Sequence, residues 1–165
     1  MKSTSYVFAL SILLVASFII NLGYSAIGPT FPFLVLALKG LIKEVPEEIP
    51  GIIAAHQGAI EFGLLMAAFM LTRAPAAGFI GILSDVIGRK RTILIGMSIY
   101  LLVSIGFIAS NDIWTLILFR AVQGIASGMV WPVAEAYLAD ISPRWKRGRA
   151  ISYYTATMSI GEILG

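Results

Sequence analysis

GILSDVIGRKR, running from Gly81 to Arg91, is the stretch on which the fold of this chain turns. It is a short, strongly basic turn, and the apolar sequence on either side is long enough to cross a bilayer, which takes about 20 mostly apolar residues. Gly81, Leu83, Asp85, Gly88, Arg89 and Lys90 fall on the pattern G-x-L-x-D-x-x-G-R-[RK]. Each position has a physical reading. Gly81 allows a close helix approach, and Gly88 permits a sharp turn. Asp85 sits at a helix end among cations, and Arg89 to Arg91 anchor the turn inside.

Working outward, the apolar runs predict helices over about 6–28, 57–83, 92–110, 113–139 and 150–165, the last still running at Gly165. After Pro29 and Pro32 the first run continues to residue 38, too short to return across a membrane, and reads as a kinked extension of the same helix. The start, Lys2 and then apolar sequence from Tyr6, reads as an uncleaved first membrane helix rather than a signal peptide. The third and fourth helices are joined by little more than Asn111 and Asp112, a tight antiparallel hairpin. The fold class is therefore an all-α membrane protein with four complete transmembrane helices and the start of a fifth.

Composition agrees. The 165 residues are 58% hydrophobic and 13% charged, with a mean hydropathy of +0.89. A soluble domain carries about 25% charged residues; so few charges cannot coat a globule of this size, and the lipid bilayer must cover the rest. The net charge of +3 is small and the basic residues sit in two tight clusters, which argues against nucleic acid as a partner. With no cysteine there is no disulfide or thiolate metal site. The single histidine, His56, has no companion ligand, and no G-x-x-x-x-G-K-[ST] phosphate loop is present. Catalysis, a bound metal, a cofactor and ATP-driven transport therefore have no support. Trp114 and Trp145 read as anchors at opposite membrane boundaries.

Orientation follows from lysine and arginine in short loops. Lys2, Arg89-Lys90-Arg91 and Arg144-Lys146-Arg147-Arg149 fall on one side; Lys39 and Lys43, accompanied by Glu44, Glu47 and Glu48, fall on the other. The N-terminus and both basic loops are expected in the cytoplasm.

Charges within the spans are costly, at least about 2.5–3.5 kcal/mol each on insertion scales, and mark protein-facing or water-facing positions. Arg73, Arg120, Glu135 and Glu162 are such residues. In the fourth segment Arg120, Gln123, Gly124, Ser127, Trp131 and Glu135 succeed one another every three or four residues and share one face. Asn21, Tyr24, Ser25 and Gly28 form a weaker stripe on the first. Two such stripes can line a water-filled path, or can simply hydrogen-bond helices together. The pairs Ala77/Gly81 and Gly124/Gly128, four residues apart, are spaced for close backbone packing.

Gly81 to Arg91 resembles the signature loop between the second and third helices of the major facilitator superfamily of secondary transporters; the departure is Val86, where that family usually has a basic residue. Leu116, Arg120, Gln123 and Gly124 resemble its fourth-helix pattern L-x-x-x-R-x-x-Q-G. More weakly, Gly161 and Gly165 resemble the start of the fifth-helix pattern of its drug–proton antiporters. The resemblance implies an incomplete N-terminal six-helix half over residues 1–165, whose partner is the missing C-terminal half of the same transporter. It implies that Asp85 and Arg89 belong to a charge network latching the inner gate, with Asp140 as a further member, and that Arg120 assists proton movement. A buried cation can do so by favouring the ionised form of a neighbouring carboxylic acid; Glu135 and Glu162 are candidates. The implied function is alternating-access, proton-coupled efflux of small organic molecules across the cytoplasmic membrane, with a small-molecule substrate and protons as partners. Proton-coupled uptake of a sugar or organic acid, and a non-transporting membrane fragment or self-associating half-unit, remain open at this point.

Overall fold

The structure, a computed structural model, describes residues 2–40 and 58–165. Lys43, Glu44, Glu47, Glu48, His56 and Gln57, and with them the start of the expected second helix, lie outside the described residues. Among those described, every regular element is helical: α1 (Lys2–Ile27), a 3-10 turn (Gly28–Thr30), α2 (Phe31–Leu38), α3 (Ala59–Ile87), α4 (Arg89–Ala109), α5 (Ile113–Ile141), a second 3-10 turn (Arg144–Lys146) and α6 (Arg147–Leu164).

Among the described residues four stretches are long and apolar enough to span a membrane: Tyr6–Leu38, Ala59–Ile87, Arg89–Ala109 and Ile113–Ile141. At 1.5 Å per residue the 29-residue α3 and α5 reach about 43 Å, beyond the roughly 30 Å hydrocarbon core. The exposed faces of α3 and α4 carry large apolar side chains: Leu71, Phe79, Ile82 and Val86 on α3, and Leu101, Leu102, Ile105 and Ile108 on α4. Surfaces of this kind belong against lipid, where a helix also satisfies its own backbone hydrogen bonds. This is an all-α, multi-pass membrane protein.

Local chemistry sets where the helices stop. At Gly28–Thr30, Pro29 has no N–H to continue α1, and Pro32 falls in the first turn of α2, where a missing donor costs least. Between α3 and α4 a single residue intervenes. Gly88 has φ +101° and ψ 126°, a conformation essentially restricted to glycine. It still donates to the Ser84 carbonyl (3.0 Å) and accepts from the Thr92 N–H (3.1 Å). Gly88→Ala is expected to destabilise the fold by about 1–3 kcal/mol, the usual cost of forcing a side chain into such a region. Thermal unfolding in detergent measures it; an unchanged midpoint would refute the strain argument.

α5 begins at a cap. Asp112 accepts the Thr115 N–H at 2.9 Å and the Thr115 hydroxyl at 2.5 Å, satisfying an orphan donor of the first turn. These bonds, the hydroxyl's first, hold the Asp112 carboxyl below the usual carboxylate range. A depressed native value means that the cap's contribution is complete above about pH 4, the unfolded aspartate range, and is lost as pH falls through the native value. Asp112→Asn should remove that acid-limb dependence while keeping most of the cap. Unfolding midpoints between pH 3 and 6 test this, and an unchanged acid limb would contradict it.

The described chain divides into two compact units. The first comprises Met1–Pro29 and Val133–Gly165. In it α1 and α6 run parallel: a Cβ at Gly161 would lie 2.7 Å from the Phe18 carbonyl oxygen, and one at Gly165 would collide with the Leu22 carbonyl. The Ser25 hydroxyl donates to the Glu162 carbonyl at 2.6 Å. On α6, Ala150, Tyr154 and Gly161 are buried.

The second unit is Thr30–Pro132. α3 and α5 run parallel in it, with Gly124 against Phe69 and Thr72 and Gly128 against Ala76 and Ala77. The Thr72 hydroxyl bonds across to the Ala121 carbonyl at 2.7 Å. α4 runs antiparallel to α5, with Gly96 against Ala126, Met129 and Val130, and Gly106 against the Phe119 ring. One end of this unit is closed by Phe31, Leu65 and Leu116, with Leu34, Phe62, Met66 and Phe107 packed around them. Lys39 and Glu61 pair there at 2.6 Å.

Candidate functional site: a caged arginine and a charged turn

Of the polar face expected on α5, Arg120, Gln123, Gly124 and Ser127 are buried in the second unit. Arg120 is 1% exposed, an extreme position for a cation in a membrane helix. Its guanidinium lies 4.4 Å from the centroid of the Phe31 ring and 4.9 Å from that of Phe69. Nη1 donates to the Gln123 side-chain oxygen at 2.5 Å, and Nη2 approaches the Met66 sulfur at 3.8 Å. Desolvated cation–π contacts are worth about 2 kcal/mol, and a planar guanidinium suits stacking better than an ammonium. Phe31 meets Phe107 edge-on with ring centroids 5.8 Å apart, and Phe107 meets Phe119 in the same way at 6.3 Å. These contacts fix the rings around the charge. The Ser127 hydroxyl, buried on the same face, has no hydrogen-bond partner among the described residues.

Trp131 is half-buried further along α5 in the same unit, and Arg73 on α3 lies 5.8 Å from the Phe69 ring. The remaining residues expected in a cavity belong to the first unit. Glu135 is exposed on α5 and Glu162 is exposed on α6. Asn21 is half-buried and donates to the Ser17 carbonyl of its own helix at 2.8 Å. Tyr24 is 37% exposed. Asp140 is exposed near the end of α5.

The turn at Gly88 has its own electrostatics. Asp85 lies in the last turn of α3 and Arg89 opens α4. Each charge has the wrong sign for the helix end it occupies, since anions favour N-termini and cations C-termini. They satisfy one another instead: Arg89 Nη2 lies 2.8 Å from Asp85 Oδ1, and the aspartate is 60% exposed. Arg89 Nη1 also donates to the buried Ser84 hydroxyl at 3.3 Å. Leu83 and Lys90 are exposed beside them. Gly81 is open on its Cβ side, with nothing within 4 Å, unlike Gly124 and Gly128.

Sequence reasoning missed Phe31, Phe69 and Met66. The signal for Phe31 was the Pro29–Pro32 break, which starts a separate short helix within reach of Arg120. Phe69 lies four residues before Arg73 on a helix otherwise apolar, and nothing singled it out.

The family profile of the Major Facilitator Superfamily matches residues 13–165, and the chain belongs to that family. Over 105 residues, 64% of this chain, it is 34% identical to the quinolone resistance protein NorA of Staphylococcus aureus (strain N315), covering 27% of that relative. Over 116 residues, 70% of this chain, it is 33% identical to multidrug resistance protein 3 of Bacillus subtilis (strain 168), covering 23% of it. The matched stretch thus spans about a quarter of the length of these curated relatives.

Proposed function

We propose that this chain supplies the N-terminal spans of a proton-coupled exporter of small organic molecules, working by alternating access in the cytoplasmic membrane with its N-terminus inside. The C-terminal half of the same transporter completes it. The observation that carries the reading is Arg120, a guanidinium held between two aromatic rings inside a membrane-spanning helix. Burying it costs several kcal/mol before compensation, a cost that a helix needing only to pack would avoid with an apolar residue. Relatives whose names record drug resistance support efflux over uptake. Positive charge at Arg89–Arg91 and Arg144–Arg149 supports the orientation.

Asp85 and Arg89 act in this reading as a gate latch. Their exposed ion pair contributes no more than about 1 kcal/mol to stability, so the two roles separate. In cells producing the complete transporter, Asp85→Asn is expected to cut efflux of a fluorescent organic cation at least tenfold. The melting temperature of the purified variant should stay within a few degrees of the parent. Undiminished efflux would remove the latch from the account.

A further inference from the structure

A second concentration of chemistry lies in the first unit, away from Arg120 and the Gly88 turn. A cleft of about 220 Å³ opens between the start of α1 and the start of α6. It is lined by Tyr6, Leu10, Lys146, Arg149, Ala150 and Tyr153. The register explains the grouping. Lys146, Arg149, Ala150 and Tyr153 share one face of the 3-10 turn and α6 at spacings of three and four. Tyr6 and Leu10 are one turn apart on α1, which runs parallel beside it. The lining thus combines two cationic residues and two tyrosines with apolar Leu10 and the buried Ala150. Among the described residues no carboxylate lines it.

The cations of the cleft belong to a dense basic run: Arg144, Lys146, Arg147 and Arg149 place four positive charges within six residues. The salt bridges Lys39–Glu61 and Asp85–Arg89 involve none of them. Trp145, 80% exposed, stands next to Lys146, whose ammonium lies 4.9 Å from its ring. An exposed tryptophan beside lysine and arginine at a helix end marks the headgroup level of a membrane. Basic pockets between spans at that level suit anionic headgroups. Guanidinium, ammonium and phenol together match the non-bridging oxygens of a phosphodiester, and the apolar lining lies where acyl chains begin.

We propose that this cleft binds the phosphate of an anionic phospholipid headgroup, held by Lys146 and Arg149 and oriented by Tyr6 and Tyr153. A soluble phosphate offers the same oxygens without the chains, so the test separates the two.

The complete transporter is purified in detergent, delipidated, and titrated with dioleoylphosphatidylglycerol, dioleoylphosphatidylcholine or inorganic phosphate. Thermal unfolding and native mass spectrometry give the readouts. Phosphatidylglycerol should raise the unfolding midpoint and remain bound, and phosphatidylcholine should not. The double variant Lys146→Gln/Arg149→Gln should bind phosphatidylglycerol at least tenfold more weakly. Arg144→Gln/Arg147→Gln removes the same charge from the same loop outside the cleft and should bind as the parent does. Tyr6→Phe/Tyr153→Phe, which preserves packing, should weaken binding to a smaller degree. Equal weakening by the two charge variants would reduce the effect to bulk attraction and overturn the site. Retention of binding by Lys146→Gln/Arg149→Gln would overturn it too. If inorganic phosphate stabilises the protein as well as the lipid and displaces it, the site belongs to a soluble anion and the lipid assignment fails.

Discussion

Arg120→Met should all but abolish transport while leaving the purification yield and melting temperature close to those of its parent. Methionine is close to the arginine stem in length and needs no partner in a dry site. Exchanging a buried charge for an apolar residue of similar volume is often neutral or stabilising by about 1–4 kcal/mol. Against this stand the lost stacking on Phe31 and Phe69, worth about 2 kcal/mol, and the stranded Gln123 oxygen, costing about 1–3 kcal/mol. These contributions nearly cancel, so the melting temperature should move little. Transport should fall to about a hundredth or less, the scale on which removal of a preorganised charge from a low-dielectric site is felt. Arg120→Lys keeps the charge but cannot stack flat on Phe31 and reach Gln123 together; an intermediate loss is expected. Efflux assays beside thermal unfolding read both quantities. If Arg120→Met transports normally, the caged charge is only a packing device.

The second large effect is structural. Gly128→Val should prevent α3 and α5 from closing and leave little folded protein. A Cβ at Gly128 would stand 2.7 Å from the Ala77 backbone nitrogen and 3.0 Å from the Ala76 carbonyl carbon. Backbone atoms inside a helix cannot step aside, so the helices must part, losing the Thr72–Ala121 bond and the packing around Arg120. Overpacking usually costs about 1–3 kcal/mol, and a whole isopropyl group against rigid backbone should reach or exceed the top of that range. Gly78→Ala on the open side of α3, with nothing within 4 Å, should be tolerated. Detergent-stable monomer measured by fluorescence-detected size exclusion compares the two; equal yields would refute the close-packed interface.

Much of this was legible in the amino-acid order, for reasons that differ by residue. The Gly88 turn announces itself because only glycine takes its backbone angles and because cations beside apolar runs mark one side of a membrane. Arg120 stands out because charge inside a span is expensive. The Gly124–Gly128 pair reads as a contact, but small residues show only that a backbone comes near, not which one. Ala77 lies in that contact whereas Gly81 is open, and their identical spacing could not separate them. The cage around Arg120 was barely legible. In a chain that is 58% hydrophobic, Phe31 and Phe69 have no contrast against their background; only the short helix begun after Pro29 brings Phe31 to the charge. The basic run Arg144–Arg149 read as an orientation signal, and its cleft emerged only once α1 lay parallel to α6.

In the function proposed above, substrate leaves in exchange for protons. The measurement that addresses it most directly is proton flux in liposomes carrying the complete transporter and an internal pH dye, with a substrate gradient imposed and no initial pH difference. Substrate moving in one direction should drive protons in the other, and Arg120→Met should silence the signal. Protons travelling with the substrate, or substrate flux without any proton movement, would contradict the account.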